Sequence, residues 1–216
     1  MKKIFLVVLA IFLCVPLSTN ADDNINKVFK IEAYEFGELT NSYHLKQYWS
    51  AVYIENGIVY TNAHVILDED NEPIWNYRVC KTTDFKNKPE CFTVWKLLYY
   101  DTKNDLAAIK ISKPWVNTVQ KSKKSLKIWD VVKVYGYPSN GWETITYTEW
   151  KISWYENRLY KIDANIDAWN SGWWVFDWDW NLIWVAVSVK VWYTTIWYII
   201  PLSEIQDFKN KINVNS

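Results

Sequence analysis

The chain has 216 residues, with 24 basic against 24 acidic side chains, 50% hydrophobic residues and an aromatic share of 18%. That length suits one sizeable folded unit, or two halves sharing one site, and hardly a second independent module. The balanced charge, and the brevity of the lysine run Lys121-Ser122-Lys123-Lys124, offer no cationic surface for a phosphate backbone, so no nucleic-acid partner is expected.

The chain opens on the basic Met1-Lys2-Lys3, followed by an apolar run from Ile4 to Leu17 and then Thr19-Asn20-Ala21 ahead of Asp22. The run is short for a membrane span. A cleaved export signal over residues 1–21 is therefore expected, leaving a mature chain 22–216 with no stable membrane insertion and a periplasmic or extracellular destination. Bulky Leu13 before Cys14 argues against a lipid anchor there. The remaining cysteines, Cys80 and Cys91, flank a polar run from Lys81 to Glu90. In an exported chain they read as a cross-strand disulfide, the alternative being two reduced, partly buried thiols.

Short β-rich runs broken by polar turns follow: Val28–Tyr34, Ser50–Glu55, Ile58–Thr61, Tyr77–Thr82, Phe92–Tyr100 and Leu106–Ile111. Residues 113–122, with Pro114 and little periodicity, form a natural linker. A second set comprises Val131–Tyr135, Thr144–Thr148, Leu159–Ile166, Val175–Asp177, Leu182–Val191 and Thr194–Ile200. The segment 201–212 then reads as an amphipathic helix with Leu202, Ile205, Phe208 and Ile212 on one face. The fold class is all-β with a terminal helix.

One compositional feature is out of proportion. There are 16 Trp and 5 Gly, where an ordinary domain of this length carries roughly fifteen glycines. Many tryptophans stand in turn contexts, such as Glu149-Trp150-Lys151, Lys127-Ile128-Trp129-Asp130 and Asp177-Trp178-Asp179-Trp180-Asn181. They follow neither the alternate-position pattern of a strand face nor one helical stripe, as an aromatic binding surface would. Reading glycine at these places restores ordinary turn chemistry. The expectation is that the gene uses UGA as a glycine codon and that tryptophan is written in its place.

The residues that carry chemistry are Thr61-Asn62-Ala63-His64-Val65, Asn104-Asp105-Leu106-Ala107-Ala108-Ile109-Lys110 and Asn170-Ser171-Gly172. A serine hydroxyl is a poor nucleophile at neutral pH and needs a base within hydrogen-bond reach; imidazole serves, and a carboxylate on its other nitrogen fixes the tautomer. In the order His, Asp, Ser the segments resemble the catalytic segments of trypsin-like serine proteases, closest to the exported HtrA/Deg branch. With glycine read at the tryptophans the similarity runs from about residue 49 to Pro201, through Tyr135-Gly136-Tyr137-Pro138 and Thr148-Glu149-Trp150-Lys151-Ile152-Ser153.

The resemblance implies two six-stranded antiparallel β-barrels of the chymotrypsin type, barrel one over about 27–112 and barrel two over about 123–200. It implies His64 as general base, Asp105 as its orienting carboxylate, Ser171 as nucleophile, and the backbone N–H groups of Trp169 and Ser171 as the oxyanion hole. It further implies a primary specificity pocket walled by Asn165, Ile166, Val185, Ala186, Val187 and Ile196. Protein or peptide substrates are expected, with no cofactor. Trp174 departs from the family pattern, which usually has proline there, and the chain leaves no room for the PDZ domain common in the Deg branch. Asp177, Asp179 and Asn181 have the opening spacing of a calcium loop without its closing glutamate, so a hairpin turn is expected. His44 reads as structural, and no metal centre is expected. Were the tryptophans literal, indoles at 169 and 173 would crowd the oxyanion hole, and a catalytically inactive binding protein of the same fold would be the alternative.

Overall fold

The structure, a computed structural model, describes residues 25–68, 70–74, 76–93, 96–111, 119–138, 144–156, 159–163, 173–191 and 194–215. The expected export signal lies outside them. The elements are β1 (Val28–Gly37), β2 (Ser42–Glu55), β3 (Ile58–Thr61), β4 (Tyr77–Lys81), β5 (Glu90–Thr93), β6 (Lys96–Asp101), β7 (Leu106–Lys110), β8 (Val131–Gly136), β9 (Thr146–Glu156), β10 (Leu159–Ile162), β11 (Trp174–Phe176), β12 (Leu182–Val191), β13 (Thr194–Pro201) and helix α1 (Leu202–Asn215). Strands β1 to β7 form a half-barrel sheet in the order β5-β4-β1-β2-β3-β7-β6, while β8 to β13 close into a barrel in the order β10-β13-β12-β11-β8-β9.

The all-β class with a terminal helix holds, and the first half carries seven strands where six were expected. The run read as one strand, Phe92–Tyr100, is two. Its start, in β5, pairs with β4 at Cys80↔Cys91, and its end, in β6, pairs with β7. The two pieces therefore sit at opposite edges of the sheet. Cys80 and Cys91 are joined as a disulfide across β4 and β5.

Two further elements outrun the sequence pattern. Strand β2 begins at Ser42 because its first residues pair with β1 in a hairpin past the core, where residues 42–46 are exposed on both faces and show no alternation. Strand β9 runs straight through Glu149-Trp150-Lys151, which is not a turn. Trp150 pairs with Val132, is 6% exposed and stacks on Trp173, so burial inside the closed barrel decides its conformation.

Strands buried on both faces explain the long apolar runs. In β7, Leu106 and Ala108 join the core between the halves, whereas Ala107 and Ile109 join the interior of the first sheet. In β11, Trp174 and Phe176 face the shared core, while Val175 faces the interior of the barrel together with the preceding Trp173. Each buried aliphatic or aromatic side chain here contributes about 1.5–3 kcal/mol. The shared core is closed by Ile205, Phe208 and Ile212 of α1, spaced three and four apart on one helical face. Polar ties cross it as well: the Tyr137 N–H donates to Ser50 Oγ at 2.7 Å, and the Tyr137 and Thr82 hydroxyls lie 2.6 Å apart. Among the described residues no helix is long and apolar enough to cross a membrane.

Candidate active site

His64 sits in the 3-10 turn Ala63–Val65 that directly follows β3. Thr61 ends the strand buried, its hydroxyl donating to the Ser50 carbonyl at 2.8 Å, and Asn62 is fully buried behind the turn. Asp105 closes the turn between β6 and β7, with a left-handed backbone at φ 51°. A side chain in that region costs about 1–2 kcal/mol, with Asn and Asp the non-glycine residues that visit it most readily. Asn62 Nδ2 donates to the Asp105 carbonyl at 2.9 Å and so anchors this strained residue from below.

The Asp105 carboxylate accepts the backbone N–H of His64 at 3.0 Å, and His64 Nδ1 lies 2.8 and 3.0 Å from its oxygens. An ionised carboxylate has no proton to give. Nδ1 must therefore be the donor, and a neutral ring carries its lone pair on Nε2. The imidazole side chain is 43% exposed and the carboxylate 24%. The pair is thus open to a reactant from the ring side while held from the protein side. That arrangement can accept a proton at Nε2 and stabilise the resulting imidazolium.

The turn that presents Asp105 has its own organiser. Asp101 accepts the backbone N–H groups of Lys103 and Asn104, each at 3.1 Å, and the Asn104 side-chain amide at 3.1 Å. Lys211 of α1 donates to the same carboxylate at 2.7 Å. Burial pushes the Asp101 carboxyl up, but the Lys211 ammonium and the Asn104 donors outweigh it and hold the group below the ordinary carboxylate range. Nothing in the sequence singled out Asp101; its signal is the Asp-x-x-Asn spacing of a side-chain-capped turn.

The other expected site residues divide sharply. Asn165, Ile166, Trp169 and Ser171 lie outside the described residues, in the segment joining β10 to β11. Val185 and Ala186 of β12 are fully buried, the first in the shared core and the second inside the barrel. Of Val187 and Ile196 only the backbone is described, paired to Tyr198 and Val189. The residues 177–181 form the expected tight turn between β11 and β12, in which Asp177 accepts the backbone N–H groups of Asp179 and Asn181. Among the described residues Glu32, Cys80 and Cys91 group as potential metal ligands, but both sulfurs are spent on their mutual bond and offer no thiolate.

A half-barrel carrying a hydrogen-bonded His–Asp pair, packed against a closed six-stranded barrel, defines the chymotrypsin-like class of serine peptidases. Residues 49–184 match the trypsin-like peptidase domain, and the chain belongs to that family. Its fold is similar to that of a serine endoprotease from Yersinia pestis, with TM-score 0.72 and 20% identity, over 89% of this chain and 64% of that one. It is also similar to Rv3671c from M. tuberculosis H37Rv, crystallised as an inactive serine-to-alanine mutant, with TM-score 0.69 and 19% identity over 91% of each chain. This chain thus spans somewhat under two-thirds of the Yersinia structure. No curated protein matches it.

Proposed function

We propose that the chain is an exported serine endopeptidase of the HtrA/Deg type that hydrolyses peptide bonds through His64, Asp105 and Ser171. The observation that carries the reading is the hydrogen-bonded His64–Asp105 pair, poised with Nε2 as acceptor. In this scheme Ser171 Oγ attacks the scissile carbonyl carbon and its proton passes to Nε2. The oxyanion is held by the N–H groups of residues 169 and 171. Collapse expels the amine, which takes the proton from Nε2, and a water activated by the same nitrogen then hydrolyses the acyl-enzyme. Residues 1–21 are the export signal, and the Cys80–Cys91 disulfide suits an oxidising compartment.

The proposal includes glycine at the tryptophan codons. Trp129 and Trp180 have backbones at φ 76° and 62°, in the left-handed region that favours glycine. Trp173 Nε1 and Trp174 Nε1 are buried without a hydrogen-bond partner, at a cost of about 1–3 kcal/mol each. The second reading, an inactive binding protein with literal indoles, draws on the close packing of Trp173 against Trp150. The codons at 169, 173 and 184 separate the two, TGA favouring glycine and TGG tryptophan. Specificity follows from Asn165: an uncharged pocket would leave a lysine or arginine unpaired, so cleavage after small or medium uncharged residues is expected.

The test is labelling of the protein from its native source by a serine-directed phosphonate. The label should map to Ser171, and Ser171→Ala should abolish both labelling and hydrolysis of an unfolded protein. Labelling elsewhere, or hydrolysis surviving the substitution, would refute the assignment.

A further inference from the structure

Helix α1 lies across the two strands that lead into the acid–base pair. Phe208 packs edge-on against Tyr60 of β3, with ring centroids 6.3 Å apart, four residues before His64. It also packs against Tyr99 of β6 at 5.3 Å, just ahead of the turn that ends in Asp105. Lys209 pairs with Glu55 at the end of β2, and Lys211 with Asp101. The helix begins directly after β13, the last strand of the closed barrel. One short element thus connects the second barrel to both strands carrying His64 and Asp105.

Asp101 is where this contact meets the chemistry. Its side chain is 8% exposed, so its negative charge is withdrawn from water and must be matched by donors. The turn supplies backbone and side-chain amides from one side, and Lys211 supplies the cation from the other. Without Lys211 the carboxylate would regain solvation only by turning outward, releasing the N–H groups of Lys103 and Asn104. Those N–H groups set the backbone course into Asp105, whose left-handed conformation is costly and whose carbonyl Asn62 anchors from the other side.

We infer that α1 is a positioning element for catalysis: Lys211, acting through Asp101, holds the turn 101–105 so that the Asp105 carboxylate meets His64 Nδ1. The inference rests on the triad reading above. Lys211 and Asp101 touch no substrate and act through Asp105, so their loss should lower kcat and leave KM nearly unchanged.

The experiment uses the full mature chain with Lys211→Met, Lys211→Arg, Asp101→Asn and, as a control, His64→Ala. Steady-state hydrolysis of a peptide substrate and the low-field NMR resonance of the His64 Nδ1 proton are measured for each. A misplacement of the orienting carboxylate predicts a fall in kcat of about tenfold for Lys211→Met and at least as much for Asp101→Asn, with KM within about twofold. The low-field resonance should broaden or vanish in both, and Lys211→Arg should restore both readouts. Lys211 is half-exposed, so its variants should fold even if Asp101→Asn does not. Parental kcat and resonance in Lys211→Met would overturn the inference while leaving the triad standing. Hydrolysis that survives in His64→Ala, or a parent with no low-field resonance, would instead overturn the triad and the inference with it.

Discussion

The two halves of the molecule make the same demand on their turns and answer it with different residues. Among the described residues of the first half the left-handed positions are held by Asn41, Asn56, Gly57, Asn71 and Asp105. Each is glycine or has a short polar side chain that tolerates the region. Among the described residues of the second half they fall on Trp129 and Trp180. Backbone geometry there asks for glycine, and the written residue is the bulkiest available. Inside, both halves leave buried polar atoms without a partner: Asn62 donates through Nδ2 to Asp105 but its Oδ1 has none, and neither do the indole N–H groups of Trp173 and Trp174. The first half therefore meets its left-handed turns with residues that tolerate them, and the second meets them with tryptophan.

The largest effect that would sharpen this comparison is catalytic. His64→Ala should lower kcat/KM by about 10⁴-fold or more, since the base and the nucleophile act as a unit. Measured on protein carrying glycine at the tryptophan positions, a loss under about tenfold would break the assignment of the first half as the acid–base half.

Next comes the disulfide. Removing it in a Cys80→Ala/Cys91→Ala double variant should destabilise the protein by about 2–4 kcal/mol in denaturant titration, because β5 is an edge strand whose tether is lost. The change should fall on the first half, so a second barrel that unfolds separately would keep its own transition. An unchanged midpoint would show that the bond carries little of the edge's stability.

Gly136→Ala tests the second half directly. A Cβ at Gly136 would stand 2.2–2.4 Å from ring atoms of Trp173. With tryptophan at 173 the overpacking should cost about 1–3 kcal/mol, whereas with glycine at 173 the cost should nearly disappear. Equal penalties in the two forms would mean that residue 173 is not what fills that space.

Trp129 gives a smaller but cleaner reading. It is 73% exposed, so little packing is lost on removing its ring. Trp129→Gly should raise stability by about 1 kcal/mol, the strain of a side chain at its positive φ. Asn56→Gly in the first half should change stability by only a few tenths of a kcal/mol. Trp180→Gly should gain less than Trp129→Gly, because its ring also packs on Tyr135 and Phe176 and lies under Lys133. Destabilisation by Trp129→Gly would undo the contrast between the halves.

The smallest effect is in pH. The folded Asp101 carboxyl titrates below its unfolded value, so its contribution is present above the ordinary carboxylate range and is lost as pH falls through the lowered folded value. An acid-denaturation profile of Asp101→Asn should accordingly be flatter at its low-pH end than that of the parent. Superimposable profiles would mean that Asp101 contributes nothing to acid sensitivity.

Much of the architecture was legible along the chain because it is local. Alternation and β-branched runs announced most strands, the spacing of Ile205, Phe208 and Ile212 announced the helix, and Asp177 through Asn181 announced the hairpin turn. The site was legible in its acid–base part, because Thr-Asn-Ala-His and Asn-Asp-Leu are short motifs with chemical reasons. The reach of β2 into the solvent-exposed hairpin was not legible, since register with β1 and not burial defines it. Nor was the strand character of Trp150, which looked like a turn residue until the barrel closed around it.

By itself the sequence determined the residue types that can do the chemistry, their order along the chain, and the excess of tryptophan over glycine; all three are properties of composition and nearest neighbours. Only the tertiary structure decided that His64 and Asp105 meet at 2.8 Å, that Asn62 anchors the Asp105 carbonyl, and that the far end of the chain returns to supply Lys211 to Asp101. Those contacts join residues that are far apart in sequence. No local propensity encodes them; they exist because two sheets and a helix bury apolar faces against one another and bring the polar groups at their edges into register.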